Sequence, residues 1–519
     1  MKKFKLFNTI KAITLLLLLI NVLLLSACGG SSDPEVNIES TPLPVVEYTD
    51  LNQFSFLKVN NPGLNSDIYL AINDNYVTGR TTDNIDVDNL IASFAHNGAD
   101  ISVGDVIQSN SSTGNDFTNI VTYTVKTANG SQESYQVDLT KFTGLPIVYL
   151  STDNNVAINS KDDYVEGNVS FDGGRYLDNL QQVAMKIRGR GNSTWFIHPK
   201  KPFQMKTKEK TAFLNMPADK KWLFLAEYSD KTMLRNKIAL EMGHISLLDW
   251  TPQSTFAEVY INNEYNGTYN ITQKVEESDN RVALGDTGYL LEIDQLDRLD
   301  ADDVYFYTDN FLINIKEPKL ALASVEFNYV NDLINEFEGV LYSSQFKDPT
   351  SGYAKFIDID SFIDWYLISE ITKNVDSKSY SSIYLNVLPG EKIKMGPLWD
   401  FDLSFGNVDY ADSQYAEGFW VKDNPWYSRL FQDPNFVNKV NDRFKYFRNN
   451  QTAILDKIDQ QAEALKWAQQ ENDDKWKTIG SYVWPNSVVL GSYDEEVTHL
   501  KSWYTRRMNW LETALISLK

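Results

Sequence analysis

Residues 360–402, DSFIDWYLISEITKNVDSKSYSSIYLNVLPGEKIKMGPLWDFD, decide how the second half of this chain is read. DSFIDWYLISEIT carries apolar residues at three- and four-residue spacing behind an aspartate, the pattern of a buried helix with an aspartate N-cap. KNVDSKSYS reads as a polar loop containing Asp376. SIYLNV and IKMGPLW then form a hairpin across Pro389-Gly390, whose second strand delivers Asp400-Phe401-Asp402. Two carboxylates in this setting suit Mg²⁺, which takes one or two of them together with phosphate oxygens and water.

Helix, loop aspartate, hairpin and Asp-Phe follow one another in this order in protein kinases. There the loop aspartate orients the hydroxyl nucleophile and the later aspartate holds Mg²⁺. On this reading Asp376 is the acceptor-side base, against the plainer one that it caps a turn. Asp400 is a metal ligand, or part of a polar turn. If the strand continues, Asp402 is a second ligand or a partner behind the first; if the chain turns there, it is a cap. An EF-hand counted from Asp400 fails, because its sixth position holds Phe405 and not glycine. A glycosyltransferase-type Asp-x-Asp stays open, whereas nothing indicates the separation a glycosidase pair needs. His96, His198, His244 and His499 show no ligand spacing, which disfavours zinc and a Ser-His-Asp triad.

A second cluster lies in KIRGRGNSTW, residues 186–195. Lys186, Arg188 and Arg190 alternate along a predicted strand and so share one face. The glycines and hydroxyls that follow suit a phosphate, or simply a hairpin with a basic edge. KPFQMKTK places Lys206 on the next strand, where it either leans over the same turn to meet phosphate, as a kinase lysine does, or lies exposed on an edge.

The chain has 519 residues, 42% of them hydrophobic, enough for two or three globular domains. Residues 1–27 read as a signal: a basic start, an apolar run from Ala12 to Leu25 that is short for a bilayer span, and Leu25-Ser26-Ala27-Cys28. That tetrad resembles the bacterial lipobox, which makes Cys28, the single cysteine, the expected lipidation site. Residues 28–47, small, polar and proline-bearing, read as a tether. The net charge of -22 excludes nucleic acid and anionic headgroups as partners, so a membrane is reached through the N-terminal lipid alone. Residues 48–142 alternate in short runs between turn signals and resemble a small immunoglobulin-like β-sandwich, without a cysteine pair. After the break in KFTGLPIVYL, residues 143–519 form one α+β domain with strands early and helices late. Two lobes with a cleft between them are expected.

KIRGRGNSTW, HPKKPFQMKT, KKWLFLAEYSDKTMLRNKIALEMG, VYINNEYNGTYNITQKVE, GYLLEID and GPLWDFDLSFGN, in this order, resemble the CotH kinase family, named for a bacterial spore-coat protein. The resemblance implies a two-lobed atypical protein-kinase-like fold that binds ATP with Mg²⁺ or Mn²⁺ and phosphorylates protein, with Asp376 and Asp400 as functional residues. Five residues after Asp376, where the family commonly has a metal-binding asparagine, stands Ser381, which the resemblance implies as a metal-site residue beside Asp400 and Asp402. Two functions follow. One is phosphoryl transfer to Ser or Thr hydroxyls of an envelope or secreted protein, outside the cytoplasm and on the outer membrane if the cell has two. The other is a non-catalytic surface module for protein or glycan, suited by the aromatic run YAEGFWVKDNPWY, residues 415–427.

Overall fold

Period-two alternation shapes the middle of the chain. In the strand Leu180–Gly189, Met185 and Ile187 are buried while Lys186 and Arg188 between them face outward. Seven strands, some alternating like this one and others, such as Glu264–Gln273, buried in a continuous run, close into a barrel, in the order Ile147–Thr152, Val165–Asp172, Leu180–Gly189, Phe203–Phe213, Met216–Leu225, Glu264–Gln273, Ser254–Ile261. The first and last pair in parallel, which leaves no open sheet edge. Val148, Met205, Trp222, Phe224 and Tyr269 fill the inside. The computed structural model describes residues 48–64, 67–82, 85–174 and 177–518. The expected signal, Cys28 and the tether lie outside the described residues.

Upstream of the barrel the chain is β-rich. Three- and six-stranded sheets enclose Phe54, Phe56 and Tyr123, and strand Gln132–Phe142 runs parallel to Tyr76–Thr82. This region meets the barrel through the Arg80–Asp172 ion pair at 2.6 Å and a 2.8 Å hydrogen bond from Thr143 to Glu258.

Downstream comes a five-stranded sheet, then mostly helices; nine α-helices occur among the described residues, so the chain is mixed α+β. Helix Ile359–Thr372 is buried on all sides from Ser361 onward. Its N-cap is Asp358, which accepts from Ser361 N at 2.8 Å; the cap expected at Asp360 sits two residues too late. The hairpin after it is also shorter than predicted. Its second strand is Lys394–Met395 alone: Gly396 N still donates to Tyr384 O at 2.9 Å, but Pro397 has no N–H to continue the ladder. Asp400 and Asp402 therefore lie on irregular chain, with Asp400 at φ 65° and a turn at Asp402–Leu403.

Candidate active site

Irregular chain needs outside support to hold a side chain in place. Helix Ile359–Thr372 stops because Lys373 takes a left-handed φ of 51°. Its ammonium keeps that conformation by donating to Asp412 O, Tyr415 O and Glu417 O at 2.8, 2.9 and 2.6 Å. Just beyond, Asn374 Nδ2 donates to Asp400 O at 3.0 Å and Phe405 N to Thr372 O at 2.7 Å, which ties the Asp376 loop to the Asp400 segment. The same segment is gripped from the barrel side. Asn236, on helix Arg235–His244, accepts from Phe401 N at 2.6 Å and donates to the Glu227 carboxylate at 3.2 Å. Arg235 Nε reaches Ser404 O at 3.1 Å.

These ties assemble a cleft of about 330 Å³ lined by Arg188, Arg190, Asp376, Asp400 and Asp402 of the sequence-predicted residues, with Lys200, Glu227 and Arg298 beside them. Burial, then the Asp400 charge, pushes Asp376 up to about 7, against Arg298, which pulls it down. Asp402 is driven well above the carboxylate range by burial and by Asp400, Glu227 and Asp376. Burial and Asp230 raise Glu227 to about 8, opposed by hydrogen bonds from Asn270 and Asn236. Across the cleft burial pulls the Arg190 guanidinium down while Asp400 opposes it; the group lies 5.5 Å from the centre of the Trp399 ring.

The pair Asp400 and Asp402 on the cleft fits a divalent cation such as Mg²⁺ or Mn²⁺, which takes one or two carboxylates and completes its shell with phosphate oxygens and water. The facing wall fits an anion: Arg188 Nε is buried and has no hydrogen-bond partner among the described residues.

Two expected residues are not in the cleft. Lys206 faces the outside of the barrel in a cross-strand row with Lys186 and Lys221. The register sets Gln204, not Lys206, opposite Arg188, which carries the lysine away from the glycine turn. The lysine that does line the cleft is Lys200. Its ammonium donates to Thr268 O and, at 2.8 Å, to Asn472 Oδ1, and burial brings it to about 7 against Glu258 and Glu227. Ser381 is buried and accepts a 2.8 Å hydrogen bond from Arg298 Nη1, while its neighbour Ser382 lines the cleft. Sequence reasoning passed over Lys200, Glu227 and Arg298. The available signals were a lysine nine residues after Gly191, between the glycine turn and the next strand, and a lone acid ending the apolar run WLFLAE. Of the aromatic run 415–427, Trp426 and Tyr427 are core and Tyr415 is exposed.

A family model described as "CotH kinase protein" matches residues 187–511, and one described as "SGBP, N-terminal" matches residues 64–139. Comparison with curated proteins found no match. A solved structure from Bacteroides thetaiotaomicron, described provisionally as a glycoside hydrolase, aligns at 13% identity over 56% of this chain and 88% of its own. Its TM-score of 0.17 carries no argument about fold or activity.

Proposed function

Because the chain belongs to the CotH kinase family, we propose that it is an atypical kinase that uses ATP and Mg²⁺ or Mn²⁺ to phosphorylate Ser or Thr hydroxyls of an envelope or secreted protein. The barrel and the helical half act as its two lobes, and the N-terminal β-rich region as an immunoglobulin-like spacer. The observation that carries this reading is the meeting of Asp376, Asp400 and Asp402 with Arg188 and Arg190 in one cleft.

Asp400 and Asp402 would hold a divalent cation, which when bound would neutralise phosphate charge. Arg188 and Arg190 bind the phosphates from the barrel wall, with charge-assisted hydrogen bonds to otherwise buried guanidinium groups. Asp376 receives the acceptor hydroxyl's proton as the new oxygen–phosphorus bond forms and the bond to ADP breaks. A carboxyl lifted to about 7 by burial is suited to that exchange near neutrality. Glu227 and Asn236 hold the Asp400 segment at its distance from the barrel.

Incubation with labelled ATP and Mn²⁺ or Mg²⁺ tests the reading. Metal-dependent nucleotide binding and labelling are expected, and both are lost in Asp400→Ala. Absence of nucleotide binding, or labelling unchanged in that variant, overturns it. Lipid anchoring at Cys28 outside the cytoplasm belongs to the same proposal. Cys28→Ser is expected to release the protein from membranes or block its processing, and a mature, membrane-bound variant would refute the anchor.

A further inference from the structure

We propose that Arg298 supplies the positive charge that a second metal ion would otherwise bring to this site, so that it works with one divalent cation per nucleotide, and that Ser381 positions Arg298 and does not bind metal. The inference rests on the kinase reading above and concerns how that site is charged.

Kinase catalytic loops carry a metal-binding asparagine five residues after the catalytic aspartate. Here that place is taken by Ser381, buried, with its hydroxyl accepting from Arg298 Nη1 at 2.8 Å. A metal ion on the same oxygen would lie against a guanidinium, two like charges on one small ligand. The guanidinium is held from several sides. It lies 4.5 Å from the centre of the Tyr380 ring, and it interacts electrostatically with Asp376 and Asp294. The residues before it clamp the same loop, because Gln295 Nε2 donates to Tyr380 O at 2.9 Å and to Ser379 O at 3.3 Å. Arg298 also lines the cleft beside Asp376, so a phosphoryl group transferred to an acceptor at Asp376 meets this charge. A planar donor fork can stabilise the developing phosphate charge as a second metal ion does, without an ion having to be recruited.

The test is the number of Mn²⁺ ions bound by the full chain with a non-hydrolysable ATP analogue, counted by electron paramagnetic resonance and calorimetry. One per chain is expected in the wild type. Arg298→Ala is expected to lower kcat about 100-fold, the usual loss for one transition-state donor, with nucleotide affinity little changed. Arg298→Lys should regain part of that loss, and high Mn²⁺ should rescue Arg298→Ala but not the wild type. Two Mn²⁺ ions per wild-type chain overturn the inference while leaving the kinase reading intact, and that measurement needs no variant to fold. An unaltered kcat in folded Arg298→Ala also overturns it. If the wild type binds no metal–nucleotide complex, the kinase reading falls and this inference with it.

Discussion

The two walls of the cleft are built by opposite means. The barrel wall presents Arg188 through strand register, paired with Gln204 on the neighbouring strand. The facing wall presents Asp376 from the start of a single 3-10 turn, Asp376–Lys378, and Asp400 from irregular chain, both positioned by side chains of Asn236, Asn374 and Lys373 that bind backbone groups. Regular structure sets where a side chain points at little cost, but only in steps of two residues. Irregular chain can place a carboxylate anywhere, provided other parts of the fold satisfy its backbone. Arg188 therefore depends on strand pairing, and Asp376 and Asp400 on long-range polar ties.

The contrast is testable from its strongest consequence down. Asp376→Asn on the irregular wall should lower transfer by 10²- to 10⁴-fold while sparing nucleotide binding, as loss of proton transfer at one group does; single-turnover kinetics read this.

Glu258, behind the barrel wall, tests the regular side. Burial raises it from 4.5 to about 7, so the folded state keeps a proton that the unfolded chain releases. That stabilisation is full below pH 4.5 and is lost as pH rises through about 7. Relative to Glu258→Gln, the wild type should lose up to about 3 kcal/mol across this window and then level off, measured by denaturant titration.

Asn236→Ala should cost about 2 kcal/mol, since it leaves Phe401 N–H and the Glu227 carboxylate short of a partner. Unlike a barrel-surface substitution it should also lower kcat, by loosening the Asp400 segment. The smallest effect is expected for Lys206→Ala, within about 0.5 kcal/mol in stability and none in nucleotide affinity, because this lysine lies outside the cleft. A nucleotide-binding defect in that variant would break the placement of Lys206 outside the site.

Much of this was legible in the chain. The 3.6-residue spacing of 360–372 gave a helix, and the order of loop, hairpin and Asp-Phe brought Asp376 and Asp400 into one site. Alternation in KIRGRG set Arg188 on the cleft face, whereas Arg190 reaches the cleft from beyond the strand's end at Gly189 and Lys186 does not line it. The errors share a cause. Lys206 and Lys200 stand on one short stretch, and the choice between them was made by register with the neighbouring strand and by Asn472, 272 residues away. The helical run from Gln451 to Trp476 is split at Leu465–Trp467, and its second part, Ala468–Trp476, is what brings Asn472 to the barrel. Ser381 was read as a metal ligand because the residue that claims its hydroxyl, Arg298, is distant in sequence.

What the sequence determined by itself was periodicity, turn chemistry and the order of the functional blocks, because these depend on residues a few places apart. What only the tertiary structure decided was which charged groups face one another. Barrel closure, the end of the Lys394–Met395 strand at Pro397 and the polar ties of Asn236, Asn374 and Arg298 are contacts between segments far apart in the chain. In a cleft where burial moves carboxylates and a lysine toward neutrality, those contacts set the charge each group carries.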